Sequence, residues 1–186
     1  MTVTTLDSKT ALIVIDLQKG IVSLPSVHPM GGVVKQVIGL VAAFRQHGLP
    51  VVLVNVTAGA PGRTEQPRRS RDFQPGWTDL ISELNQQPQD HVVTKRTPGA
   101  FTNTGLDEHL RTSGVTQVVV VGVATSNGVE ATARQAFELG FNLTFATDAI
   151  TDRDAEAHHN SVTRIFPRIG ETGTTQEIID LLERSV

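Results

Sequence analysis

The stretch VVVVGVATSNGVEATARQAFELG, residues 118–140, limits the fold more than any other part of the chain. Its opening run, QVVVVGV (117–123), shows no apolar–polar alternation. A valine run without alternation belongs to a strand covered on both faces, which is the environment of a parallel sheet between helices. A tight turn follows, and then a helical pattern, VEATARQAFELG (129–140), closed by Gly140. A strand passing through a turn into a helix sets one residue at the helix start, where backbone N–H groups concentrate positive partial charge. Such a pedestal suits a reactive side chain, yet the residue standing there is Gly128.

The rest of the chain repeats this unit. ALIVI (11–15), PVVLVNV (50–56), HVVTK (91–95) and NLTFATD (142–148) read as further strands, and a short sixth is expected near 168–172. Apolar residues at 33, 34, 37, 38, 41 and 44 have helical spacing, with Gly48 as a stop signal. Short helices are expected at TDLISEL (78–84) and after Thr104, which pairs with Asp107 as a capping-box variant. DAEAHHNSVTRIF (154–166) reads as one helix, and TTQEIIDLLERS opens with a second capping box, Thr174 and Glu177. Alternating Val/Ile-rich strands and helices predict an α/β three-layer sandwich. Its sheet is six-stranded and mostly parallel, with helices on both faces. With no internal repeat or linker, residues 1–186 form a single domain. The longest irregular stretch is 57–77, and a loop of that length is usually functional or mobile.

Composition narrows the chemistry. Without cysteine there is no thiol nucleophile, disulfide or thiolate metal site, and without tyrosine no phenol. A net charge of −3 gives no reason to expect a nucleic-acid partner. No apolar run approaches the roughly 20 residues of a membrane span, and MTVTTLDSKT carries no signal-peptide pattern. A cytoplasmic protein without membrane association is the expectation. No Gly-rich phosphate loop follows the first strand, so no organic cofactor is implied.

In open parallel sheets, ligands bind beyond the carboxyl ends of the strands. Asp16 ends the first strand, Lys95 the third, and the turn VATSNG the fourth. Singly, Asp16 is a turn former and Lys95 a snorkelling lysine. At one rim they form a pair whose members set each other's ionisation and can relay protons. Asp148, ending the fifth strand, reads as a structural turn residue.

Four segments, ALIVIDLQ, VVTKRTPGAFTNTGLDEHLR, VVVVGVATSNGVEATARQAFELGF and ATDAITD, resemble the isochorismatase-like hydrolase superfamily in order and spacing over nearly the whole chain. In most of that superfamily, which includes nicotinamidases and carbamoyl hydrolases, the catalytic triad is Asp, Lys and Cys. The resemblance assigns the first two roles to Asp16 and Lys95 and sets Gly128 at the Cys position. Isochorismatases proper also carry Gly there and cleave a vinyl ether without a covalent intermediate. By that likeness Asp16 is the general acid and Lys95 its partner. The resemblance further implies substrate contacts from Gln18, Phe101, Ala124, Thr125, Ser126 and Asn127, and a cis peptide at Val123–Ala124 that turns backbone polar groups toward the ligand. It also implies a homodimer or larger homo-oligomer acting on a small-molecule substrate. Isochorismatases resemble TAQPGG after the second strand, whereas this chain reads TAGAPGR, with Gly59 and Ala60 where the Gln would stand. A different substrate pocket follows.

No metal is expected. RDFQPGW lacks the His that nicotinamidases use, and the adjacent His158 and His159 diverge by about 100° on a helix. Arg63, Arg68, Arg69 and Arg71 crowd the long loop, as a solvated segment or as a basic lid for an anionic substrate. Trp77, Phe73 and Phe101 are candidates for apolar pocket walls or for a subunit contact. Two further readings remain open: a catalytically inactive small-molecule binding protein of the same fold, and an amidohydrolase using Ser126 or activated water.

Overall fold

The structure is a computed structural model that describes residues 3–65 and 73–184. Arg68, Arg69 and Arg71 of the basic cluster lie outside the described residues. Among the described residues, β1 (Thr10–Ile15), β2 (Val51–Val56), β3 (His91–Lys95), β4 (Gln117–Val123), β5 (Asn142–Thr151) and β6 (Glu171–Gly173) form one sheet in the order β3-β2-β1-β4-β5-β6. Every strand pair in it is parallel. The α-helices among the described residues are α1 (Lys19–Val22), α2 (Met30–Gln46), α3 (Leu106–Thr112), α4 (Glu130–Glu138), α5 (Ala155–Asn160) and α6 (Thr175–Arg184).

Burial explains the apolar runs. All residues of β1 and β4 are buried, as central strands between two helical layers must be. Strand order reverses between β1 and β4, so right-handed crossovers send the chain from β1 through α2 to one face and from β4 through α4 to the other. α6 returns to pack on α2, and Arg111 of α3 donates to Leu139 O at the end of α4. The reversal opens a crevice above the carboxyl ends of β1 and β4, the place where doubly wound sheets bind ligands.

Gly122 breaks the valine run for a steric reason. Its φ is +108°, and a Cβ there would stand 2.1 Å from Ile15 O of the neighbouring strand. The β4–β5 register shifts at the same place, between Val120 and Gly122.

Four features differ from expectation, the first being the Thr104–Asp107 capping box, which does not form: Gly105 precedes α3 and Asp107 pairs with Arg111. Within 78–84 only Ser82–Leu84 is helical, as one 3₁₀ turn, because Leu80 bridges Gln18 antiparallel and Ile81 N–H donates to Leu17 O. Those contacts hold the preceding residues extended. The helix expected at 154–166 is α5 followed by a π turn (Ser161–Ile165) and a 3₁₀ turn (Phe166–Arg168). β5 runs on to Thr151. The Thr174–Glu177 capping box forms as expected: Thr174 N–H donates to Glu177 Oε2 and Glu177 N–H to Thr174 Oγ1. Asp148 is structural, accepting from both Thr175 N–H and Thr175 Oγ1 at the start of α6.

Candidate active site

Asp16 follows β1 directly and turns the chain with φ +52°, a left-handed conformation that Asp tolerates better than most residues. Its N–H donates to Val54 O of β2, fixing the turn to the sheet edge. Lys95 ends β3, two strands away, and its side chain crosses the end of β2 to reach the same point. Lys95 Nζ lies 2.9 Å from Asp16 Oδ2 and donates to Pro98 O at 2.6 Å. Only 1% of the lysine side chain and 8% of the aspartate are exposed. A buried ion pair of this kind contributes little stability by itself, so its presence at a ligand-binding rim points to chemistry.

The two carboxylate oxygens of Asp16 differ. Oδ2 is held by the ammonium, whereas Oδ1 is buried without a hydrogen-bond partner among the described residues. Burial raises the carboxyl pKa to about 6, against the lowering influence of the Lys95 charge and hydrogen bond. With Lys95 on Oδ2, the proton of the neutral acid resides on Oδ1.

Gly128 completes the trio. After a cis peptide at Val123–Ala124, the chain enters a π-helical turn, Thr125–Val129, that leads into α4. A Cβ at Gly128 would stand 3.1 Å from Lys95 Nζ, 3.2 Å from Asp16 Oδ2 and 2.9 Å from Ile15 Cγ2. The bare α-carbon thus faces the ion pair so closely that even a Cβ would crowd both groups.

Beside the trio lies a cavity of about 180 Å³. Asp16, Asn127 and Ser26 are its polar wall, aliphatic residues such as Ile21, Leu24 and Met30 its apolar one, and Arg153 also lines it. Of the residues expected to touch substrate, Ala124 and Asn127 line this cavity. Ser126 is exposed, and its N–H donates to Asp152 Oδ2 at 2.7 Å. Thr125 is fully buried, with its hydroxyl 2.9 Å from His158 Nδ1. Gln18 is fully buried, and its amide binds protein at both ends: Nε2 donates to Val56 O and Thr78 O, and Oε1 accepts from Val56 N–H. Gln18 therefore braces the loop beside β2. Phe101 packs near Phe141, with its N–H bound to Gln135 Oε1 of α4. Phe73 and Trp77 stack on each other at 4.3 Å.

Two contributors escape the sequence reading. Asp152 accepts from Ser126 N–H and Arg153 N–H, both at 2.7 Å, and so ties the end of β5 to the turn that carries Gly128. Its signal in the sequence is the second Asp of ATDAITD. His158 is the other. It reaches the turn after β4 across the fold and touches Thr125 rather than Ser126; its ring meets His28 edge-on at 4.7 Å. Burial lowers its pKa, helped by the charges of His28 and His159 and opposed by Asp152. Among the described residues no group of three or more His, Asp or Glu is placed to hold a metal ion. No helix among them is long and apolar enough to cross a membrane.

The isochorismatase domain model matches residues 10–177. The chain is 41% identical over 179 residues to the uncharacterized isochorismatase family protein YwoC of Bacillus subtilis (strain 168), covering 92% of this chain and 93% of that one. It is 36% identical over 148 residues to the streptothricin hydrolase of Streptomyces noursei, covering 79% of this chain and 51% of that one. The solved structure of an isochorismatase family protein from Burkholderia thailandensis superposes with a TM-score of 0.94 at 38% identity, over 98% of this chain and 100% of the other.

Proposed function

The chain belongs to the isochorismatase family of hydrolases, and from that premise we propose that it hydrolyses a small organic molecule without a covalent enzyme intermediate, by acid-initiated cleavage of a vinyl-ether C–O bond. One observation carries the reading. Asp16 has a carboxyl pKa near 6 and a buried Oδ1 with no hydrogen-bond partner among the described residues, at the edge of a cavity and opposite a residue with no side chain.

Neutral Asp16 is a hydrogen donor through Oδ1. Its proton passes to the terminal carbon of the vinyl ether, leaving an oxocarbenium ion and an aspartate stabilised by Lys95. Water adds to the cationic carbon and returns a proton to Asp16. The hemiketal then expels the alcohol, giving a ketone and an alcohol with one water consumed. Lys95 has two duties: it keeps the proton off Oδ2, and it balances the charge that appears on Asp16 when the proton leaves. Gly128 keeps a side chain from pressing on both groups.

Covalent amide hydrolysis, the competing reaction, lacks an activated side-chain nucleophile here, which leaves water as its attacking group. The chain has no cysteine, and Ser126 is exposed with no base recorded at its hydroxyl among the described residues. The test is turnover of a panel of vinyl ethers, including isochorismate, beside amides and ureas, with wild type, Asp16→Asn and Ser126→Ala. Vinyl-ether turnover lost in Asp16→Asn and kept in Ser126→Ala supports the proposal. Amide turnover that depends on Ser126 overturns it, as does metabolite binding with no turnover of any member of the panel.

A further inference from the structure

Two imidazoles meet behind the turn that carries Gly128. His28 stands in the loop between α1 and α2 and His158 on α5, and their rings touch edge-on with centroids 4.7 Å apart. Each ring faces one threonine hydroxyl through Nδ1. His158 Nδ1 lies 2.9 Å from Thr125 Oγ1, and His28 Nδ1 lies 3.1 Å from Thr151 Oγ1. Both threonines are fully buried. Thr151 Oγ1 also accepts the His28 backbone N–H at 3.2 Å. Among the described residues neither hydroxyl has another acceptor for its own hydrogen. A buried hydroxyl left without an acceptor is costly, so each threonine donates to its Nδ1. Each neutral histidine then carries its hydrogen on Nε2. The next proton must go onto Nδ1, and it breaks the bond already there.

These contacts join two walls of the cavity beside Asp16. The loop bearing His28 contributes Leu24, Pro25 and Ser26 to it, and the turn bearing Thr125 contributes Ala124 and Asn127. Burial is the largest influence on His158 and lowers its pKa; the charges of His28 and His159 lower it further, and Asp152 opposes them. The folded state therefore prefers neutral His158. That contribution is complete above about pH 6.5 and is lost as pH falls through the lower folded-state value. Other charged groups nearby are engaged or lie on the same segment. Asp148 shares a cavity wall with His28 and accepts from Thr175. Glu130, at the start of α4, is taken by Arg134 and Ser161. Arg153, Asp154 and Glu156 precede His158 in the chain, Asp154 as the cap of α5. The turn Thr125–Val129 has no ionisable side chain.

We propose that His28 and His158 are paired positioning residues, a clasp that holds the 23–29 loop against the turn bearing Gly128 while both rings are neutral and releases it when either takes a proton. The proposal rests on the site assigned above and adds its regulation. A proton on Nδ1 strands a buried threonine hydroxyl, and a second proton sets like charges on rings 4.7 Å apart. Asp16 works in its protonated form, so the reaction alone keeps kcat/KM high in acid. The clasp adds an acid limb of separate origin. When the loop moves away, the cavity loses one wall and holds substrate less tightly, while the acid that attacks a bound molecule is unchanged.

NMR and amide exchange read the clasp without substrate. Nitrogen-15 NMR of the histidine-labelled protein at pH 8 should find both rings as the Nε2–H tautomer. Val27 N–H donates to Asp152 O and so reports the loop's attachment. Its protection, corrected for the intrinsic pH dependence of exchange, should fall about tenfold or more between about pH 7 and 5. The fall disappears in the double variant His28→Gln, His158→Gln, which cannot titrate there, and survives in Asp16→Asn. Thr125→Val removes the hydroxyl that a proton would strand, and the His158 midpoint rises. With a vinyl-ether substrate, KM should rise about 3- to 10-fold over the same interval while kcat is kept. An Nδ1–H tautomer at His158 overturns the assignment, and so does a His158 midpoint unmoved in Thr125→Val. Wild-type protection that ignores pH, a fall that persists in the double variant, or a fall lost in Asp16→Asn also overturns it. A constant KM removes the positioning role. The two proposals fail separately. Vinyl-ether turnover without acid release of the loop removes the clasp and leaves the reaction. Histidine-dependent release without vinyl-ether turnover removes the reaction and leaves the clasp.

Discussion

A Cβ placed on Gly128 would fall 3.2 Å from Asp16 Oδ2 and 3.1 Å from Lys95 Nζ, closer to the ion pair than ordinary packing allows. The carboxylate, the ammonium and the helix start thus converge on one point, and what stands at residue 128 selects the chemistry available there.

Gly128→Cys is the direct probe of that convergence. The new Cβ displaces Ile15 Cγ2, now 2.9 Å from its position, so a modest stability loss of about 1 kcal/mol is expected. The thiol then lies beside the Lys95 ammonium, which favours its thiolate, and beside Asp16, a ready proton acceptor. The variant should be alkylated by iodoacetamide below pH 8 and acylated by activated amides, visible as a mass increase. Vinyl-ether turnover should fall about tenfold or more through crowding at the acid. An introduced thiol that stays inert to both reagents in a folded variant would show that the helix start is not aimed at the site.

The pH dependence follows from the protonated form of Asp16 being the working one. Its pKa near 6 predicts that kcat/KM falls as pH rises through about 6, with the slope of one proton. Lys95 lowers that pKa, so Lys95→Met is expected to shift the falling limb to higher pH while reducing the rate. A limb that stays in place in the variant assigns it to another group. Stability carries the same sign. The folded-state pKa stands above the ordinary 3.8, so this carboxyl favours the folded protein fully below about pH 4 and loses that contribution as pH rises through 6. The interval of about two pH units corresponds to roughly 3 kcal/mol. Denaturant midpoints of wild type and Asp16→Asn between pH 4 and 8 measure it, because the neutral amide lacks that slope.

How much of this is visible in sequence depends on whether a residue is placed by its own strand or by distant packing. Asp16, Lys95 and Gly128 each sit at the end of an apolar run, and a parallel sheet brings such ends to one rim. Gln18 is two residues from Asp16, yet a β-bridge to Leu80 and the edge of β2 capture its amide, and no local pattern announces that partner. Arg153 and His158 reach the site because Asp152 and the turn after β4 anchor the segment between β5 and α5. The spacing of 154–166 shows a helix but not that it widens into a π turn at Ser161.

Trp77 provides a spectroscopic handle on the loop beside the site. A Cβ at Gly20 would lie 2.1 Å from the indole ring, so α1 accepts Trp77 only because residue 20 is glycine. Since Trp77 is the single tryptophan of the chain, its emission reports this ring's surroundings, Gly20 and the stacked Phe73 included. Gly20→Ala should displace the ring toward water, moving the emission maximum to longer wavelength and destabilising the fold by about 1–3 kcal/mol. An unchanged spectrum would show that the ring does not rest on Gly20.

His91 and His109 stack nearly parallel, with ring centroids 3.6 Å apart. Burial, and then the neighbouring His109 charge, lower the His91 pKa. The folded state therefore prefers neutral His91. Its contribution is complete above about pH 6.5 and is lost as pH falls through the lower folded-state value. Proton NMR should find His91 titrating below 6.5, and His109→Gln should raise that midpoint by removing the like charge. A midpoint that does not rise in the variant would leave burial as the whole cause.

Asp152 ties the end of β5 to the turn that carries Gly128, and Asp152→Asn tests that tie with little change in size. The carboxylate accepts three N–H groups, from Ser126, Arg153 and Asp154. An amide has one oxygen to offer and presents N–H to the remaining donors, so at least one charge-assisted bond is lost and a donor is set against a donor. A stability loss of about 1–3 kcal/mol is expected. The activity loss should exceed what that instability explains, because both Ser126 and Arg153 lose their common anchor. If Asp152 serves the fold alone, kcat/KM of the folded variant stays at the wild-type value and only its thermal stability drops. A fall in kcat/KM of the variant under conditions where it is fully folded is the outcome that an anchor for the turn bearing Gly128 requires.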